Sequence, residues 1–478
     1  MKKEQKTATV KKHLYLVIAD ALEEQIKNSI FKTGDKLPSV RTICLEHNVS
    51  INTAQMAYYT LIGKALVEAR PKSGYFVSNW LKDRFELPQT SKPKINYSAK
   101  TDEALVSRVF ETMGYKKATC FSLGTPSTEF LPITQLNRSL SQAIKELSGC
   151  GTKYEKIEGN EELRKQLARW SYITGAKICD TDIITTSGCL NAVAYCLMAI
   201  TKRGDTIAVE SPVFFGLLQL FQSLGLRVIE LPTNAQTGIE IDALKKTLSA
   251  KKIDICLLNS NFNNPLGSCM PDEHKQEVVM LLNHYHIPLI EDDIYGDLYF
   301  GSKRPKTCKA FDEEGLVLYC SSVSKTIAPG YRVGWVIPGK FKKDIFRMKM
   351  VQSFTSTTLT QQAVANFFKT GKYENYLRKL RRILHANSFQ YTQAITQYFP
   401  SDTKISRPQG GLFLWVELNK KHNTLELFDK ALNHNITFVP GKIFTLQDQY
   451  NNCMRLSYGL PWSERIKNQL KLLAGLIS

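Results

Sequence analysis

Lys325 stands in the run Ser322-Val323-Ser324-Lys325-Thr326, shortly after the apolar stretch Val317-Leu318-Tyr319-Cys320, with Arg332 seven positions on and Gly334-Trp335 beyond. A lysine beside serines is usually a solvated surface charge. Placed after a buried strand and among small hydroxyl side chains, it sits where an α/β fold carries its reactive groups. Such an amine forms a Schiff base with a carbonyl only when its proton is readily lost. Two other clusters could serve related chemistry. Glu291-Asp292-Asp293-Ile294-Tyr295 closes a strand; neighbouring acids at a strand end are commonly solvated, and that is the expectation for Asp293. Ser187-Gly188-Cys189-Leu190 lies between a strand and a helix, where helix N-terminal amides bind phosphate.

These residues need a scaffold, and its pattern is visible from about residue 119 onward. Ile183-Ile184-Thr185-Thr186, Thr206-Ile207-Ala208-Val209, Ile255-Cys256-Leu257-Leu258, Ile287-Pro288-Leu289-Ile290 and Val317-Leu318-Tyr319-Cys320 have the composition of buried strands. Helical segments fall between them, which predicts an α/β domain with a mostly parallel sheet. A helical run with Arg378, Lys379, Arg381 and Arg382 follows, expected as a solvated face, and then a C-terminal α+β piece.

Global quantities narrow the class. A chain of 478 residues suits roughly three domains, or two with one large. Its 43% apolar and 22% charged content is that of a globular protein and argues against disorder, collagen or a disulfide scaffold. No apolar run approaches the roughly 18–20 residues that span a bilayer. The lysine-rich start precedes an apolar stretch, but Asp20, Glu23 and Glu24 interrupt it, so no secretory leader is expected and the cytoplasm is the expected location. Eleven cysteines without a CxxC pair or zinc spacing predict reduced thiols and no metal site. The net charge of +19 favours polyanionic partners. Residues 1–78 hold 12 Lys/Arg against 7 Asp/Glu, so most of that excess lies elsewhere.

The segment Leu14 to Val77 follows a different pattern. Leu16, Ala19, Leu22, Ile26 and Ile30 keep helical spacing; Ser39 caps a second helix through Leu45; Ser50 caps a third through Ala54, Ala57 and Leu61. Val67 to Arg70, a turn at Lys72-Ser73-Gly74, and Tyr75 to Val77 form a strand–turn–strand. This order predicts a winged helix-turn-helix. Gly34-Asp35-Lys36-Leu37-Pro38-Ser39-Val40-Arg41, Val49 to Thr53 and Arg70 to Val77 closely resemble the DNA-binding domain of the GntR family. A recognition helix presents its first turn to the major groove, so Asn52, Thr53 and Gln55, following Ser50, are the candidate base readers. Arg41 and Lys72 are candidate phosphate contacts, and Gly74 permits the wing turn. The expected boundaries are 11–78 for this domain, 79–113 for a polar linker with Pro88 and Pro93, and 114–478 for the α/β body.

The body resembles the fold-type-I pyridoxal-phosphate enzymes of the aspartate-aminotransferase superfamily over about 360 residues. That resemblance implies a Schiff base on Lys325, with Ser322, Ser324 and Arg332 on the cofactor phosphate. Asp292 would pair with the ring nitrogen, Asp293 being the fallback, while Tyr295 and Asn264 of Asn263-Asn264-Pro265-Leu266-Gly267 would bond its 3-oxygen. Phe214 would stack on the ring, and Arg455 would clamp a substrate α-carboxylate with two parallel bonds. Gly188, Cys189 and Leu190 would cradle the phosphate; many relatives carry Ser-Gln at the last two positions, so one hydroxyl contact is lost here. Tyr154 matches a tyrosine that reaches the partner subunit's phosphate, implying a homodimer.

Together the two parts resemble the MocR subfamily of GntR-type transcription regulators. The implied protein is a head-to-tail dimer that binds a double-stranded DNA operator and responds to an amino-group effector, or to pyridoxal 5'-phosphate itself. An active aminotransferase with a DNA-binding head is the alternative, since no part of the basic catalytic set is missing.

Overall fold

A computed structural model of the chain describes residues 14–28, 30–32, 34–63, 66–70, 73–78, 86–94, 103–112, 115 and 117–477. The chain divides into two compact units, residues 1–85 and 86–478. Among the described residues no helix is long and apolar enough to cross a membrane.

The small unit has helices Leu14–Lys27, Val40–His47 and Ile51–Gly63 and an antiparallel pair of strands, Val67–Arg70 and Gly74–Val77. Its helix starts are made by the two predicted serines. Ser39 Oγ accepts from Thr42 N at 3.1 Å and Ser50 Oγ from Thr53 N at 3.2 Å; each satisfies a donor that the first helical turn leaves open. Ile18, Ala19, Leu22 and Ile26 bury one face of the first helix, which packs on the third, where Ala54, Ala57, Tyr58 and Leu61 are buried. Ile30, expected in the same stripe, lies past the helix end and is exposed. The wing is tied back by Leu37 N to Tyr75 O at 2.8 Å and by Gly34 N to Val77 O at 2.9 Å. The Tyr58 ring also stacks on Tyr75 at 4.0 Å.

The large unit is built on an eight-stranded sheet. Its order is Ile184–Thr186, Gly334–Ile337, Val317–Ser322, Leu289–Asp292, Ile255–Leu258, Thr206–Ser211, Arg227–Asn234 and Gly238–Ile239. Five successive strands, from 317–322 to 227–234, run parallel, while 334–337 is antiparallel to both its neighbours. Parallel strands covered on both faces read as continuous apolar runs, which is why most of them are plain in the sequence. The helix Cys189–Ile200 fills one side with Val193, Cys196 and Leu197, packed with Ile207, Val209, Leu318 and Val336. A smaller sheet of 404–405, 413–417, 453–457 and 439–440 forms the C-terminal part with helix Thr424–Asn433.

Two expectations change. The stretch 79–113 is not a free tether over its described parts. Ser91 N donates to Thr233 O and Thr233 N to Ser91 Oγ, Gln89 N reaches Glu417, and Lys94 exchanges bonds with Gln447. Residues 86–94 therefore bridge the large sheet and the C-terminal sheet, and Glu103–Thr112 is a helix with Leu105, Val106 and Val109 buried. Backbone pairing of this kind leaves no periodic signature. In the helix Tyr373–Tyr398, Arg378 faces solvent as expected but Arg381 is buried, paired with Glu374 and lying 4.1 Å from the Tyr299 ring centroid.

Candidate cofactor site and DNA-reading face

The site forms at the C-terminal ends of the parallel strands, where open α/β sheets bind ligands. Strand 317–322 runs into the turn that carries Lys325, with Ser322 Oγ accepting from Ser324 N at 3.2 Å. Lys325 Nζ has no hydrogen-bond partner among the described residues and lies 5.8 Å from the Tyr295 ring centroid. Burial pushes its ammonium down to about 8, helped by Arg455 and opposed by Asp292. The amine is thus far more available than an exposed lysine, as Schiff-base chemistry requires.

Neighbouring strands place the acids. Asp292 is in register with Cys320 and half-buried, its Oδ1 accepting from Cys189 Sγ at 3.2 Å and Ile294 N at 3.3 Å. Burial raises its carboxyl to about 6, held back by those two bonds and by Lys325. Asp293, by contrast, is consumed: Arg304 Nη2 pairs with it, and Asn261 Nδ2 and Tyr319 OH each donate to it at 2.9 Å. The acid expected to be solvated is therefore the buried one, and the carboxylate with an oxygen left unbonded among the described residues is that of Asp292.

A second chain of contacts links Tyr295, Asn264 and Arg455. Asn264 Nδ2 reaches Tyr295 OH at 3.5 Å, and Asn264 Oδ1 accepts from Arg455 Nη1 at 2.8 Å. Arg455 Nη2 donates to Ser122 O at 2.7 Å, and the guanidinium lies 4.2 Å from the Phe413 ring centroid. It is only 2% exposed, its Nε has no hydrogen-bond partner among the described residues, and burial lowers it to about 10. Arg332 takes φ +54 and donates from Nη2 to Ser187 O at 3.0 Å, beside Gly188 at the start of helix 189–200. Phe214 heads the helix Phe215–Ser223, its ring over Gly216, where a Cβ would lie 2.6 Å from it. Tyr154 is 85% exposed with its ring edge-on to Phe354. The Leu190 side chain is exposed.

One neighbour of the site, Asn259, escaped the sequence reading, and one direction did too. Asn259 donates to Asp292 O and accepts from Asn264 N, joining two strand ends. Its only signal was the polar run Asn259 to Asn264 after a buried strand. The direction of the Cys189 thiol, toward Asp292, had no sequence signal at all.

On the small unit, Arg41 is exposed and Gln55 half-buried at the head of their helices. Thr53 is partly committed to its own cap, its hydroxyl 2.9 Å from Ser50 Oγ. Gly74 takes φ +104, in the region that favours glycine. The Asn52 side chain and Lys72 lie outside the described residues.

Comparison with known proteins decides the lineage. Residues 122–467 match the family of aminotransferase class I and II, and residues 14–77 match the bacterial regulatory proteins of the gntR family. The chain belongs to the aminotransferase class I and II family, in its gntR-headed, MocR-type branch. Relatives share the whole arrangement. YjiR of Escherichia coli K12, described as an uncharacterized HTH-type transcriptional regulator, is 38% identical over 96% of this chain and 97% of its own. YdcR of the same organism, similarly described, is 35% identical over 97% and 98%. Among solved structures, the α-aminoadipate aminotransferase LysN of Thermus thermophilus aligns with a TM-score of 0.73 at 24% identity, covering 79% of this chain and 95% of that one. The kynurenine aminotransferase of Pyrococcus horikoshii aligns at 0.71 and 25%, covering 78% and 93%.

The cofactor of this MocR-type body is pyridoxal 5'-phosphate, and the residues present fit it. Ser324 Oγ is buried without a hydrogen-bond partner among the described residues, and a Cβ on Gly188 would lie 2.4 Å from Arg332 Nη2. A cradle of glycine, free hydroxyl, arginine and helix N-terminal amides suits a phosphate dianion.

Proposed function

We propose that this chain is a transcription regulator that reads double-stranded DNA with its head and senses a small amino-group ligand, or pyridoxal 5'-phosphate itself, in its body. The observation that carries the ligand half is the Nζ of Lys325, half-buried and without a hydrogen bond among the described residues, together with the half-free carboxylate of Asp292 and the buried guanidinium of Arg455. In this reading Ser322, Ser324, Arg332 and the amides of Gly188, Cys189 and Leu190 hold the phosphate. Tyr295 and Asn264 bond the 3-oxygen, Phe214 covers the ring and Asp292 keeps the ring nitrogen protonated. When bound, the cofactor supplies an aldehyde that joins amines and a ring that withdraws electrons.

The chain's own groups do the rest. Lys325 offers an amine that loses its proton near neutral pH, Arg455 attracts a carboxylate through Nε, and Asn264 connects that guanidinium to Tyr295. A ligand that binds one arrangement of the body better than another shifts the population felt by the head. Tyr154, exposed here, completes the phosphate site of a second copy in a head-to-tail homodimer. Arg41, Gln55 and Thr53, with Asn52 and Lys72, form the DNA-reading face.

The test is a gel-shift titration with the DNA upstream of the protein's own coding region, with and without cofactor and a panel of amino acids. A parallel absorption spectrum compares wild type with Lys325→Ala. Operator affinity that shifts with one amino acid, or with cofactor alone, in wild type but not in Lys325→Ala supports the proposal. No affinity for that DNA at any salt concentration sinks it. Catalytic turnover of the cofactor to its amine form, with keto acid released, marks the enzyme instead.

A further inference from the structure

The Cys189 thiol is an oddity of this site. It begins the helix that cradles a phosphate, yet its Sγ sits 3.2 Å from Asp292 Oδ1. The same oxygen also accepts from Ile294 N at 3.3 Å, and Oδ2 has no hydrogen bond among the described residues. One oxygen is therefore committed to the protein from two sides, which restricts the plane of the carboxylate and leaves the other for the donor of a bound ligand. We propose that Cys189 is a positioning residue: its thiol holds Asp292 ionised and turned so that Oδ2 meets the protonated ring nitrogen of the cofactor. This rests on the reading of Asp292 as the ring-nitrogen partner.

The charges around the pair agree with a thiol donor and a carboxylate acceptor. Burial first, and then Asp292, push the Cys189 thiol well above its ordinary value, so it keeps its proton. A thiol of that kind is a poor nucleophile and a poor redox sensor. Facing Asp292 from the other elements, Lys325 favours its ionised form and Asp293 opposes it. Glu210, raised to about 8, together with Tyr295 and Cys320, raised further by burial, is predominantly neutral at pH 7. The thiol and the Ile294 amide are thus the hydrogen-bond donors that keep a buried carboxylate ionised in the neutral range.

The experiment measures the dissociation constant of pyridoxal 5'-phosphate from pH 5.5 to 8.5, by tryptophan quenching on the full chain. Cys189→Ala and the volume-conserving Cys189→Val lose the donor. Each is expected to raise by about one unit the pH below which cofactor affinity falls, making binding roughly tenfold weaker below that point. Cys189→Ser keeps a donor and is expected to follow wild type. In an Asp292→Asn background, Cys189→Ala is expected to add nothing. Alanine and valine variants that keep the wild-type profile overturn the proposal. So does a loss shared by the serine variant, a loss equal at every pH, or a further loss in the Asp292→Asn background. Asp292→Asn binding cofactor as wild type does refutes the role of Asp292 itself, a separate failure.

Discussion

Replacing Lys325 by methionine should make the cofactor-free protein more stable at neutral pH while abolishing its visible absorption with cofactor. The lysine's folded-state value is about 8 against an ordinary 10.5, because burial and Arg455 disfavour its charge. Below pH 8 it is protonated in both folded and unfolded chains, so the folded state bears the full penalty of holding that charge. Between pH 8 and 10.5 the folded chain binds fewer protons than the unfolded chain, and stability rises with pH. Above 10.5 the penalty is gone. A shift of this size is worth about 3 kcal/mol, and roughly 1–3 kcal/mol once the partial exposure of Lys325 to water is allowed for. Urea unfolding of wild type and Lys325→Met from pH 6 to 11 would measure it, followed by the fluorescence of Trp170, Trp335, Trp415 and Trp462, all in the large unit. The variant should be the more stable at pH 7, and the gap should close through that window. A gap that is absent, reversed or independent of pH refutes the account of a desolvated, proton-releasing Lys325.

Three other outcomes follow from the same geometry. Gly188→Ala forces a Cβ to within 2.4 Å of Arg332 Nη2 at φ +94, so cofactor retention on dialysis should drop at least tenfold and the melting temperature should fall with it. Arg304→Met leaves Asp293 buried without its cation and should cost about 3–5 kcal/mol in urea unfolding, whereas Arg304→Met with Asp293→Asn should recover part of it. In the head, Arg41→Ala should weaken operator and unrelated DNA alike and lower the salt slope by about one, whereas Gln55→Ala should relax preference among operator variants, both read by fluorescence anisotropy.

Much of this protein was legible from local pattern. Four of the five parallel strands announced themselves as apolar runs, and Ser39 and Ser50 as helix caps, while Lys325, Asp292, Asn264, Arg332 and Arg455 were named from the motifs around them. The antiparallel strand Gly334–Ile337 and the strap of residues 86–94 did not, because their pairing is set by backbone bonds to distant segments rather than by side-chain periodicity. The fate of the two acids shows the boundary most clearly. Asp292 and Asp293 are adjacent and chemically alike, and alternation along a strand sends them to opposite sides. One side holds Arg304, Asn261 and Tyr319, which bury Asp293 and pair its charge; the other holds the Cys189 thiol and Lys325. A motif carries the types of residue that a chemistry needs. Which atom faces which, across 103 positions between Cys189 and Asp292, is decided when the sheet and the helix pack, because only packing removes water and sets the directions of those bonds.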